Sequence, residues 1–103
     1  MVKLFALYGH PQDPQQFEQF YAQTHGPMVA RLPNLRGVAT AKLTPNPDGS
    51  SAQYYRIGEL QFDSLADLQT ALASEVGQAV VADLPKFCTG GVTMLTGIPD
   101  VQP

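Results

Sequence analysis

The chain of 103 residues has no tryptophan and one cysteine, Cys88. It also has few charges: Asp, Glu, Lys and Arg make up 15% of it, against roughly 25% in an ordinary soluble domain. Each shortage excludes something. A single cysteine cannot close an intrachain disulfide or supply a zinc site with several thiolates. With no signal-peptide pattern at the N-terminus, a lone thiol fits the reducing cytosol, so a cytoplasmic location is expected. Six basic side chains face nine acidic ones, with net charge −3 and no basic run, and nucleic acid is not an expected partner. No apolar stretch approaches the roughly 18 residues of a membrane helix, and no membrane association is expected. No spacing of two histidines and a carboxylate recurs, so no metal is expected. Gly90-Gly91 precedes a strand pattern rather than a helix, which excludes a phosphate loop.

What is present reads as one domain over residues 1–98 with a tail over 99–103. Residues 2–8 are apolar and β-prone on both faces, Val2, Leu4, Ala6 and Tyr8 on one and Phe5 and Leu7 on the other, as in a strand covered on both sides. Asp13 followed by Pro14 starts a helix. Its apolar positions are Phe17, Phe20, Tyr21, Thr24 and Met28, and a break or kink is predicted at Gly26-Pro27, with the helix resuming briefly through Arg31. Leu35 to Leu43 reads as a strand whose small-residue face (Gly37, Ala39, Ala41) lies close under something. The segment from Thr44 to Ser51 reads as a mobile hairpin loop. Gln53 to Phe62 is a third strand, with Tyr55 and Glu59 on one face and Tyr54, Arg56 and Gly58 on the other. Asp63-Ser64 caps a helix with Leu65, Leu68 and Leu72, and Ser74-Glu75 starts another, predicted to stop before Pro85. Val92 to Ile98 is the last strand.

The order β-α-β-β-α-α-β is that of an α+β, ferredoxin-like split βαβ domain: a four-stranded antiparallel sheet with helices on one face. The other face, carrying Phe5 and Leu7, would be sticky if left open. A homodimer with two sheets packed face to face, a dimeric α/β barrel, is the economical solution.

With the segments Val2-Lys3-Leu4-Phe5-Ala6-Leu7-Tyr8, Phe17-Glu18-Gln19-Phe20-Tyr21, Thr24-His25-Gly26-Pro27-Met28-Val29 and Leu32-Pro33-Asn34-Leu35-Arg36, the sequence resembles the EthD family of the dimeric α/β-barrel superfamily. Phe62-Asp63-Ser64 and Gly90-Gly91-Val92 also fit, and the resemblance spans about residues 2–98. It implies the same fold, homodimerisation, and a place in a degradation pathway. The implied chemistry is oxidoreductase- or dehydratase-type, on a small hydrophobic or aromatic compound.

His25 is the leading catalytic candidate. It matches the family motif, lies four residues after Tyr21 on the same helix side, and carries a group that can take or give a proton near neutral pH. Tyr21 or Tyr55 is its expected hydrogen-bond partner. Expected ligand-binding residues are Phe5, Leu7, His10, Phe17, Tyr55, Glu59 and Met94, around a cleft that lies either between sheet and helices or between the two sheets of the dimer. His10 stands at the end of the first strand near the barrel mouth, where an exposed turn histidine is the alternative. A desolvated Glu59 could serve as a base. Cys88 reads as a small buried residue and Asp83 as a solvated one. The leading reading is a small dimeric enzyme that works without metal or organic cofactor on a small hydrophobic ligand. The alternative is a non-catalytic binding or accessory module of the same pathway, with His25 only structural.

Overall fold

The computed structural model describes residues 1–101, so the end of the expected tail, residues 102 and 103, lies outside the described part. Its elements are β1 (Val2–Tyr8), α1 (Pro14–Phe20), a π-helical turn (Tyr21–His25), α2 (Gly26–Val29), β2 (Gly37–Lys42), β3 (Arg56–Phe62), α3 (Leu65–Ala73), α4 (Glu75–Phe87) and β4 (Val92–Gly97). The sheet order is β2-β3-β1-β4, with every neighbouring pair antiparallel. This is the ferredoxin-like split βαβ arrangement, with the helices on one face. Among the described residues no helix is long and apolar enough to cross a membrane.

The caps sit where the sequence places them. Asp13 accepts from the Gln16 backbone N–H, Ser64 from that of Asp67, and Ser74 from that of Gly77. Each satisfies one of the donors that the first helical turn leaves unpaired. Two buried clusters follow along the helix-covered face. One gathers Val2, Leu4, Val29, Leu32, Phe62, Leu68, Ala71 and Val80; the other is aromatic, with Tyr8, Phe17, Tyr55, Leu84 and Phe87. Removal of Phe17 or Phe62 from water contributes about 2 to 3 kcal/mol each.

The structure corrects three expectations. First, the chain does not break at Gly26-Pro27 but widens into the π-helical turn, in which the Gly26 N–H donates to the Tyr21 carbonyl five residues back. The buried stripe is then Phe17, His25 and Val29 with Tyr21 half-buried, while Thr24 is exposed. A repeat of four residues drifts about 40° per step around an ordinary α-helix. A wider turn takes out part of that drift and keeps Tyr21, His25 and Val29 toward the sheet. Second, α4 runs through Pro85 to Phe87. Proline costs it one bond to the Val81 carbonyl near its end, and the Cys88 N–H still closes onto Leu84 at 2.9 Å. Third, Tyr55 and Glu59 do not share a face. β3 begins only at Arg56, and Tyr55, bent out of the alternation, joins the aromatic cluster on the helix side. The loop after β2 carries a turn of its own, in which Asn46 and Ser50 pair through their backbones and Asp48 accepts from both the N–H and the hydroxyl of Ser50.

The opposite sheet face has no cover within the protomer. Lys3, Phe5 and Leu7 of β1, Ile57 and Glu59 of β3, Ala39 and Ala41 of β2, and Leu95 of β4 meet there, Leu95 being 52% exposed. Small residues on this side of β2 lie under nothing in the single chain.

Candidate functional site

The two core clusters leave a cavity of about 190 Å³ between them. Its origin is a cross-strand row in which Thr40 opposes Gly58, Gly58 opposes Ala6, and Ala6 opposes Met94. The two central strands thus bring their smallest side chains together on the helix side, and all four residues line the cavity. A methyl group added at Gly58 would stand 3.4 Å from the Tyr21 hydroxyl and 3.9 Å from the Tyr8 ring. Leu4, Val29, Leu32, Val80 and Leu84 complete most of the wall, and Val38, Val81 and Met94 are partly exposed apolar residues at its rim.

Into this apolar space come His25, Tyr21, Tyr8 and Thr40. His25 is 3% exposed and Asp83, on α4, is 4% exposed. The His25 Nδ1 stands 3.5 Å from the Asp83 Oδ2, a separation at the outer limit of hydrogen bonding, and neither atom has a closer partner. Lys86 Nζ lies 3.5 Å from the other Asp83 oxygen. With Nδ1 turned to Asp83, Nε2 is the imidazole nitrogen left for a ligand. Burial lowers the proton affinity of His25, and Asp83 offsets this only in part, so the neutral ring is favoured near neutral pH. Phe87 and Tyr21 hold the ring from two sides, at centroid distances of 4.9 and 5.8 Å.

Tyr8 and Tyr21 meet edge to face at 5.6 Å. Burial raises the pKa of both phenols, and the Arg56 guanidinium, 5.0 Å from the centre of the Tyr21 ring, works in the opposite direction. Both remain neutral hydrogen-bond donors at physiological pH. Arg56 is itself held by Glu18 at 2.7 Å, and the Tyr55 hydroxyl donates to the same carboxylate oxygen at 3.1 Å. Burial, with Asp83 nearby, pushes the Cys88 thiol up to about 12, which leaves it protonated and a poor nucleophile.

The arrangement brings His25, Tyr21 and Met94 of the sequence candidates together around the cavity. Phe17 and Tyr55 lie behind it, packed ring to ring at 5.2 Å, and support Tyr8 and Tyr21 rather than line the space. His10 is exposed, its Nε2 2.7 Å from the Ala52 carbonyl oxygen. Phe5, Leu7 and Glu59 are on the other side of the sheet, where Lys3 pairs with Glu59 at 3.6 Å. Their alternation with Leu4, Ala6 and Gly58 puts them there. Asp83 was expected in solvent and is buried. Its sequence signal is its place on the apolar stripe of α4, seven residues after Val76, three after Val80 and four before Phe87. Among the described residues no group of three or more His, Cys, Asp or Glu side chains could hold a metal ion.

The family model of the EthD domain matches residues 9–91. An 11.0 kDa protein from the thcB–thcC intergenic region of Rhodococcus erythropolis is 37% identical over 95 residues, covering 92% of this chain and 91% of that one. Among solved structures, an ethyl tert-butyl ether D family protein from Bacillus halodurans superposes with a TM-score of 0.90 at 33% identity, over 96% of this chain and 98% of its own. Two more share the fold alone. A cofactor-independent oxygenase from Streptomyces nogalater has a TM-score of 0.68, 13% identity and coverage of 98% and 93%. A dimeric ferredoxin-like protein from Thermobifida fusca has a TM-score of 0.68, 14% identity and coverage of 93% and 88%. With residues 9–91 matched by the family model and a relative 37% identical over 92% of its length, this chain belongs to the EthD family.

Proposed function

We propose that the protein is an acid–base catalyst for a small hydrophobic or aromatic molecule bound in the cavity, working as a homodimer in a degradation pathway. One observation carries this reading: a buried imidazole, backed by a buried carboxylate, faces an apolar space large enough for a ligand. Neutral His25 takes a proton from the substrate through Nε2, from a phenol O–H or from carbon beside a carbonyl. Asp83 holds the ring by its Nδ1 side and stabilises the imidazolium that forms. Tyr21 and Tyr8 donate hydrogen bonds to the negative oxygen left on the substrate, in surroundings of low polarity where such bonds are strong. The electron-rich anion is then the species that reacts with O2 in an oxygenase-type reaction. In a dehydratase-type reaction it expels a hydroxyl group.

Pairing through the open sheet face is supported by its apolar content and by the dimeric Thermobifida fusca protein of the same fold. The test of function is turnover of a panel of phenols and aromatic ketones, with and without O2, by the native protein and by His25→Ala. A fall of about 100-fold or more in rate with His25→Ala, assayed well below that variant's own melting temperature so that only folded protein is compared, is the expected result. Full activity in that variant removes His25 from the role. Saturable thermal stabilisation by these compounds with no turnover replaces this reading by the non-catalytic binding module.

A further inference from the structure

We infer that the cavity is built for an uncharged molecule with a single ring and one oxygen substituent, for which a short-chain alkylphenol is the type, and that Ala6 and Gly58 set this limit. This deepens the reading above and rests on its placement of the ligand.

Size comes first. A cavity of about 150 Å³ lined by aliphatic and aromatic side chains is known to hold benzene. The present space of about 190 Å³ is somewhat larger and takes one ring with a short substituent, with little room to spare for a fused second ring. Shape follows from the floor. Ala6 and Gly58 face each other across β1 and β3, so the middle of the sheet offers a flat surface with Thr40 and Met94 at its two ends. A planar ring can lie on that surface beneath Val80 and Leu84.

Charge is the third limit. No Lys, Arg, Asp or Glu side chain lines the cavity. Arg56 is outside the lining and pairs with Glu18 through one terminal nitrogen, its Nε having no hydrogen-bond partner, and the carboxylate of Asp83 stands directly behind His25. A ligand carboxylate or phosphate would lose its water without gaining a cation, which is strongly unfavourable. One polar oxygen, by contrast, finds His25 and the two tyrosine hydroxyls.

Calorimetric titration of the native protein with four probes tests this. The expected tightest binder is para-ethylphenol. Ethylbenzene, which lacks the oxygen, is expected to bind about 10-fold more weakly. The two-ring β-naphthol should be weaker by about 10-fold or more, and the anion para-hydroxybenzoate by about 100-fold or more. The variants Gly58→Ala and Ala6→Val are read in parallel. The added methyl of Gly58→Ala meets its neighbours at ordinary contact distances, so that variant keeps the fold. It should weaken para-ethylphenol by several-fold while leaving unsubstituted phenol less affected. His25→Ala should keep para-ethylphenol affinity within about 10-fold of native, which separates the ligand class from the catalytic proposal. Tight binding of para-hydroxybenzoate or β-naphthol, absence of saturable para-ethylphenol binding, or unchanged affinity in both floor variants would overturn the inference.

Discussion

At the scale of single residues, the pair His25 and Asp83 ties protonation to both stability and activity. Unfolded chain takes up a proton on His25 near 6.5, whereas the folded protein does so only at lower pH. Between the two values the unfolded state binds more protons, so stability rises with pH through that window and falls as the solution is acidified below 6.5. Melting temperatures measured from about pH 5 to about pH 8 should show this decline, and His25→Gln should remove the part of it due to this ring. Asp83 acts against burial, so Asp83→Asn leaves the imidazole still harder to protonate. Once a substrate is found, the acidic limb of its pH–rate profile should move to lower pH in Asp83→Asn, with a lower plateau because the imidazolium has lost its counter-charge. A limb that stays in place would show that Asp83 does not act on His25.

At the scale of elements, one serine joins two helices. Ser74 accepts from the Gly77 N–H at the start of α4, and its hydroxyl donates to the Ala71 carbonyl at the end of α3, at 2.6 Å. Ser74→Ala removes both bonds and should cost about 1 to 2 kcal/mol in chemical denaturation. This junction was legible in the sequence because capping is a matter of residue type and position. So were the four strands and their order, since alternation and turn residues are local signals. Other features were not legible because they depend on what the rest of the chain provides. The wide turn at Tyr21–His25 has no composition of its own. Pro85 is tolerated because it falls in the last turn of α4, where few backbone bonds remain to lose. Asp83 reads as a surface acid until His25 is brought across from another helix. Phe5 and Leu7 are ring and branched side chains suited to a pocket, whereas the cavity within the single chain forms where side chains are small, at Ala6 and Gly58, on the opposite face of the sheet.

At the scale of the whole molecule, the low charge content has a location. Phe5, Leu7, Ile57, Leu95, Ala39 and Ala41 occupy a sheet face with no cover in one protomer. Lys3 and Glu59, charged residues on the same face, pair with each other. In a face-to-face dimer, Leu95→Glu places a carboxylate opposite a partner's apolar sheet. Sedimentation should then show native dimer and variant monomer at the same micromolar concentration. A native monomer would remove sheet pairing as the cover.

The central strand β1 serves two tasks with alternate residues. Leu4, Ala6 and Tyr8 wall the cavity, while Phe5 and Leu7 belong to the open face. Only one thickness of backbone separates them. A substitution scan along β1 should therefore alternate in what it damages, ligand binding at one residue and subunit association at the next. Such a strand has no neutral side on which sequence can drift.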